Sequence, residues 1–248
     1  MKYQDIYIRD ILIDGRGVGE TPDKIAFIED AVYGEICEIE ITEEKKSFYN
    51  AKKIKTIKES PYKTQAPCPY FSECGACTIM DIKYEKQLEI KKNLIINTLA
   101  KFTSYKLEDI EILPSKELRY RNKIRLQVDS DGSLAYNKSY SNDLVLIKDC
   151  LLAREEISEN LSQIEQITKD ISEKFPGSIK EITIRTNGKE IMLNLDLRDN
   201  DSISYIKENY SNSDFFINIT GRENINISGN AYLEYEIFDK IFKISGND

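Results

Sequence analysis

Three cysteines stand within ten residues, in Cys68-Pro-Tyr-Phe-Ser-Glu-Cys74-Gly-Ala-Cys77, and a fourth, Cys150, lies far downstream; the chain has five cysteines in all and no histidine. Thiolates with short internal spacing and one distant partner are the ligand set of an iron–sulfur centre or an all-cysteine zinc site, because three donors on one loop need a fourth from elsewhere to close the shell. Such a chain must fold so that the loop meets the strand or turn that carries Cys150. A disulfide framework belongs to small secreted chains with even cysteine counts. This chain has 248 residues, an odd count and a charged start, Met1-Lys-Tyr-Gln-Asp5, with no apolar signal segment. Zinc commonly takes two C-x2-C knuckles and here only Cys74 and Cys77 form one, so the spacing favours iron–sulfur narrowly and leaves zinc open. Four unconnected core cysteines would not cluster beside Pro69 and Gly75. Cys37 shares a strand face with Ile39 and Ile41 and reads as an ordinary buried thiol.

No apolar run approaches the eighteen or so residues of a membrane span, and a 28.7 kDa chain with 40% hydrophobic residues can bury one large core or several small ones. A soluble, cytoplasmic protein is expected. The net charge of −8 is unevenly spread: residues 151–248 hold 11 Lys and Arg against 18 Asp and Glu, whereas residues 59–150 are close to neutral. Phosphate binding depends on local patches, so the total does not exclude a nucleic-acid partner.

The fold class read from the pattern is mixed: a small OB-like β-barrel followed by an α+β domain with an antiparallel sheet. Short strands are expected over 6–13, 25–28, 35–42 and 48–57, with turns at Asp14-Gly15-Arg16-Gly17, Thr21-Pro22-Asp23 and Tyr33-Gly34; so many short strands in under sixty residues suit a barrel. Lys45, Lys46, Lys52, Lys53, Lys55 and Lys58 flank or occupy the last strand, as an RNA contact or as protection of an edge. Residues 81–102 read as a helix with Tyr84, Leu88, Ile95 and Leu99 on one face. Strands follow over 123–128, 133–136 and 143–147, then a helix over 154–175. A hairpin over 179–186 and 190–197 turns at Asn187-Gly188; a short helix near 202–209 and strands near 215–219 and 235–244 complete the chain.

A second constellation is Arg119-Tyr120-Arg121-Asn122-Lys123-Ile124-Arg125. On a strand, alternation sets Arg121, Lys123 and Arg125 on one face beside Tyr120, a cationic row with an aromatic that suits single-stranded RNA or, more plainly, a solvated strand face.

The run from Pro67 to Lys91, which contains Cys68, Cys74 and Cys77 and continues through Tyr84, Gln87 and Leu88, resembles the iron–sulfur signature of the RNA 5-methyluridine methyltransferases of the bacterial 23S rRNA (uracil-5-)-methyltransferase type. Asp14-Gly-Arg-Gly-Val-Gly-Glu20 and Ala31-Val-Tyr-Gly-Glu35 are similar to the TRAM domain of that family. Arg119 to Arg125 resembles its Tyr-Arg-x-Lys/Arg motif, and Ile147-Lys-Asp-Cys150 stands where the family places its last cluster ligand. The match covers essentially the whole chain in the right order. It departs at Ala76 for a usual Gly, at Met80-Asp81 for a usual Gln-His, and after Cys150, where no Pro follows.

The resemblance implies a [4Fe-4S] cluster on Cys68, Cys74, Cys77 and Cys150, structural rather than redox-active, replaceable by zinc or lost on handling. It implies RNA contacts from Arg16, Lys52, Lys53, Arg119, Tyr120, Arg121, Lys123 and Arg125, with rRNA as partner. The family reaction is methyl transfer from S-adenosylmethionine to C5 of a flipped-out uridine, with a cysteine thiolate attacking C6. No glycine-rich βα turn or catalytic cysteine is found for it here. The expected organisation is therefore a TRAM-like barrel over 1–59, a cysteine loop over 60–80, a helix over 81–110 that packs on an absent catalytic domain, and a central α+β domain over 111–248. On this reading the chain is the RNA-recognition half and is inactive alone, and the helix over 81–102, left uncovered, self-associates or is mobile. A stand-alone TRAM and metal-knuckle RNA-binding module is the alternative. A radical-SAM enzyme is disfavoured, because its C-x3-C-x2-C triad leaves one iron open.

Overall fold

The computed structural model describes residues 1–104, 107–220 and 224–245. The chain divides into two compact units, Met1–Phe71 with Cys77–Ser115, and Ser72–Ala76 with Lys116–Asp248. Residues 246–248, where the sequence reading places the end of the recognition half, lie outside the described residues.

The first unit is built on β1 (Lys2–Tyr7), β2 (Asp10–Ile11), β3 (Gly17–Glu20), β4 (Ile25–Glu29), β5 (Ile36–Glu44) and β6 (Phe48–Lys58), in the order β1-β5-β6-β4-β3-β2. The two ends of that order are consecutive in sequence, joined by Ile8-Arg9. Ile8 N–H donates to Glu35 O and Arg9 N–H to Val18 O, so one continuous segment bonds to both sides and the sheet curls on itself. Alternation explains the interior: Ile6, Ile8, Ile28, Cys37, Ile39 and Ala51 form its core, while Glu38 and Glu40 look outward. Gly17, expected at the end of a turn, is buried in β3 with Gly19.

The lysines of β6 do not guard an edge, because β6 lies between β5 and β4. Across the β5–β6 ladder Glu40 faces Lys52 and Glu38 faces Lys55, so the stripe is matched by carboxylates. Glu35 is fully buried; its carboxylate accepts from Val32 N–H, from Lys53 Nζ at 2.9 Å and from the Thr56 hydroxyl, tying the turn before β5 to β6.

Helix α1 (Tyr84–Phe102) belongs to this unit and docks on the curled sheet. Ile90 and the preceding Ile82 join the core, Leu94 packs against it, and Lys86 Nζ sits 4.7 Å and 4.2 Å from the ring centroids of Tyr33 and Tyr62. The covered stripe is thus Lys86, Ile90 and Leu94, one turn apart each, on the opposite side of the helix from Leu88, Ile95 and Leu99, the face that the sequence reading leaves uncovered. The open side carries Ile95 and Phe102. No described helix is long and apolar enough to cross a membrane.

The second unit centres on a seven-stranded sheet of β7 (Lys123–Val128), β8 (Leu134–Asn137), β9 (Leu144–Leu146), β10 (Ile179–Thr186), β11 (Ile191–Leu197), β12 (Phe216–Thr220) and β13 (Ile225–Ser228), ordered β13-β12-β11-β10-β7-β8-β9. Helix α2 (Glu155–Lys174) covers one face with Ile157, Leu161, Ile164 and Ile171. Cross-strand register sets Ile124, Ile184, Leu193 and Ile217 in one row and Leu126, Ile182, Leu195 and Ile219 in the next, an apolar face. The other face carries Lys123, Arg125 and Gln127 from β7. All neighbouring strands are antiparallel except β11 and β12, which run parallel across α3 (Ile203–Tyr210). The Asp129–Gly132 turn lies on α2: Gly132 has φ +84°, and a Cβ there would come within 2.5 Å of Lys169 Cα. The stretch expected as one strand over 235–244 is a hairpin of β14 (Tyr232–Ile237) and β15 (Lys240–Ser245).

Candidate nucleic-acid interface

The segment leading into β7 separates the basic residues of the second constellation into two groups. Arg119 has a left-handed backbone, φ 58°. Its guanidinium turns inward, with Nη2 2.7 Å and Nη1 3.0 Å from the Asp149 carboxylate, and it also donates to the Cys150 carbonyl and the Ser158 hydroxyl. The neighbouring guanidinium holds the Asp149 carboxyl below the usual carboxylate range. Arg119, expected among the RNA contacts, therefore serves as an internal clamp around Asp149 and Cys150. Arg121 precedes β7 and bridges to Ala153, so of the expected row of three cations Lys123 and Arg125 lie within the strand. Tyr120 is exposed.

The cysteine segment adds an edge to the end of β8. Gly75 N–H donates to Asn137 O at 2.9 Å, Ser139 N–H donates to Glu73 O at 3.1 Å, and Cys74 bridges Lys138 between them. Gly75 is needed for the close approach: a Cβ there would lie 3.1 Å from Ser139 N and 3.2 Å from Asn137 O. Cys74 and Cys150 are both buried in this unit. The Tyr136 hydroxyl donates to Cys150 Sγ at 3.7 Å, and burial, with the Cys150 sulfur next in weight, pushes its phenol well above the ordinary value. Cys68 and Cys77 are half-buried and belong to the first unit.

Gly75 and Ala76 form one wall of a cleft of about 570 Å³, whose other walls come from β7, β8 and the turn over 138–142. Arg125, Gln127, Tyr136, Lys138, Tyr140 and Asn142 supply its chemistry, and no carboxylate lines it among the described residues. The carboxylates nearby hold its cations loosely. Glu181 is 3.3 Å from Arg125 Nε, with the arginine side chain 61% exposed, and Glu73 is 3.8 Å from Lys138 Nζ. A cleft of two cations, two tyrosines and several amides can take an anionic, planar, hydrogen-bonding ligand. Sequence reasoning found Arg125 by alternation and missed the turn over 138–142; its signal was an aromatic, Tyr140, at the tip of a polar turn.

In the first unit Arg16 is held by Asp14 and by Asn50 Oδ1 at 2.9 Å, and it stands 5.5 Å from the Phe27 ring centroid. Lys53 is bound to buried Glu35, and Lys52 is exposed opposite Glu40. Cys37 is fully buried, and burial pushes its thiol up to about 12, which suits a core residue and not a nucleophile.

Four thiols are a donor set for iron or zinc, yet among the described residues no group of three or more histidine, cysteine or acidic side chains is gathered closely enough to hold a metal ion.

No protein-family model matches the sequence. Its curated relatives are RNA methyltransferases. An "Uncharacterized RNA methyltransferase" of Aquifex aeolicus (strain VF5) is 26% identical over 203 residues, 76% of this chain and 47% of that protein. Another of Streptococcus mutans serotype c is 33% identical over 165 residues, 64% of this chain and 36% of that protein. The 23S rRNA (uracil(1939)-C(5))-methyltransferase RlmD of Photorhabdus laumondii is 26% identical over 184 residues, 72% and 42% of the two chains. In fold, the chain is similar to the crystal structure of Pyrococcus abyssi tRNA (uracil-54, C5)-methyltransferase in complex with S-adenosyl-L-homocysteine, with TM-score 0.64, 19% identity, and coverage of 98% of this chain and 60% of that one. These comparisons define a class, the RNA methyltransferases. Where the names of these proteins give the position that is methylated, it is C5 of a uracil, in 23S rRNA for the one and in tRNA for the other. The chain spans less than half the length of the curated relatives it matches.

Proposed function

We propose that these residues form the RNA-recognition part of an S-adenosylmethionine-dependent RNA (uracil-5-)-methyltransferase acting on 23S rRNA. The observation that carries the reading is the carboxylate-free cleft over β7 and β8, basic and aromatic, in a chain similar to RNA methyltransferases. The curled sheet of the first unit is a TRAM-like module in this reading. Its lysines contribute less than the cleft, because glutamates face them across the ladder.

No described residue is assigned the chemistry of methyl transfer. The reaction needs a thiolate at C6 of the uracil, and Cys37 is held as a protonated thiol in the core. Cys68, Cys74, Cys77 and Cys150 are the residues that would hold a [4Fe-4S] cluster or zinc. They suit it in donor chemistry, and no step of the reading runs through it.

Two measurements on residues 1–248 test this. Fluorescence anisotropy with a labelled fragment of 23S rRNA is expected to show saturable binding, and incubation with that RNA and radiolabelled S-adenosylmethionine is expected to leave the RNA unlabelled. Binding no tighter than to DNA of the same sequence defeats the recognition reading; methylated product defeats the assignment of catalysis elsewhere.

A further inference from the structure

We propose that the cleft between Gly75-Ala76 and the β7–β8 edge is a subsite for one unstacked nucleotide of single-stranded RNA, with its base on Tyr140 and its phosphate between Arg125 and Lys138. The inference rests on the RNA-recognition reading above and names which surface does the recognising and in what form the RNA is read.

The strongest indication is the backbone of Tyr140. It has φ 55°, in the left-handed region, while its side chain stays 62% exposed. That conformation costs an L residue about 1–2 kcal/mol and is rarer still for a bulky one. The ring is mostly exposed at the turn, and an aromatic held there in the left-handed region is a backbone outlier of the kind found at binding sites. The turn itself is fixed from below: Lys138 N–H donates to Asp143 O at 2.8 Å, and Ser139 N–H donates to Glu73 O in the cysteine segment. A flat ring presented rigidly beside cations is a stacking platform for an unpaired base.

The rest of the cleft matches the remaining parts of a nucleotide. Arg125 and Lys138 have only loose carboxylate partners, which a phosphate can displace cheaply. Gln127 and Asn142 carry amides, each with donors and an acceptor for a base edge. Its size, about 570 Å³, is that of a pocket for a single small ligand. A duplex, whose bases are stacked and paired, cannot offer a base to Tyr140. An acidic peptide would use the cations and leave the ring and amides without a role.

The test uses the full chain and a short fluorescein-labelled single-stranded RNA of mixed sequence, with the same RNA annealed to its complement as comparison. The wild type is expected to prefer the single strand. Tyr140→Asn keeps a residue that tolerates left-handed backbone and removes the ring; it is expected to hold or raise the urea midpoint while weakening single-strand binding about tenfold. Tyr140→Phe is expected to bind like the wild type. Arg125→Gln with Lys138→Gln is expected to weaken binding and flatten its salt dependence. If the wild type binds no RNA, the recognition reading fails and this inference with it. If it binds and Tyr140→Asn does not weaken it, or the duplex binds equally well, the cleft assignment is overturned while the recognition reading stands. A lower midpoint for Tyr140→Asn with unchanged affinity makes Tyr140 a structural residue and likewise overturns the assignment.

Discussion

Arg119 shows how a residue in the right motif can do a different job from the one its charge suggests. In the sequence it heads a run of cations; in the fold its left-handed backbone turns the guanidinium back onto Asp149, the Cys150 carbonyl and Ser158. Alternation is a guide within a strand, which sets Lys123 and Arg125 on one face, and it says nothing of Arg119, four residues before β7 begins. Arg119→Gln separates the two roles. Loss of a forked, charge-assisted contact that is partly open to solvent is expected to cost about 1–2 kcal/mol. RNA affinity and its salt dependence are expected to stay within twofold of the wild type, because no phosphate contact is lost. Urea unfolding and anisotropy read both; a drop in affinity with an unchanged midpoint would return Arg119 to the interface. The cysteines were the most visible residues of all, but spacing along a chain reports donor type and not the positions of side chains.

At the scale of elements, periodicity carried most of the architecture. The β10–β11 hairpin was legible because Asn187-Gly188 is a strong turn signal, and Gly188 indeed has φ +96°. The β14–β15 hairpin was read as one strand because its two-residue turn is Phe238-Asp239, with φ 50° and 60°. Those are the angles of a type I′ turn filled by residues that do not advertise it. Helix α1 was found, but two apolar stripes compete on it and a sequence does not say which one meets a partner. Lys86 tipped the outcome: its stem buries and its ammonium lies between Tyr33 and Tyr62, so a charged residue belongs to the docked face. Ile90→Ala is therefore expected to destabilise the first unit by about 2–4 kcal/mol, whereas Ile95→Ala, on the open side, changes it by less than about 0.5 kcal/mol. Hydrogen exchange of residues 84–102 resolves them: faster exchange in Ile90→Ala alone supports docking. The reverse order would make the Ile95 side the docked one and remove the uncovered face on which self-association through α1 depends.

For the whole molecule the question is how a chain of net charge −8 would hold a polyanion. The excess of carboxylates lies in residues 151–248, the same part of the chain that completes the unit bearing the cleft. Two electrostatic effects then oppose each other as salt is raised. Contacts between phosphates and Arg125 or Lys138 weaken through loss of counterion release, at about 0.7 in the logarithmic slope per contact for a single strand. Repulsion from the acidic surface is screened over about 10 Å at 0.1 M salt, which favours binding. A cleft with two cations therefore gives a log–log slope of association constant against salt no steeper than about −1.4, and shallower where the repulsion relaxes. A broad basic face formed by the β6 lysines would behave differently, adding a contact for each lysine and steepening the slope toward −3 or beyond. The glutamates opposite Lys52 and Lys55 argue for the shallow case, since an exposed lysine already facing a carboxylate gains less from a phosphate. A titration of the labelled single strand across a series of KCl concentrations decides the point. A slope near −1 places recognition in the cleft, with base stacking and amide contacts supplying the salt-independent remainder. A slope steeper than about −3 moves the RNA onto the lysine-bearing strands of the first unit.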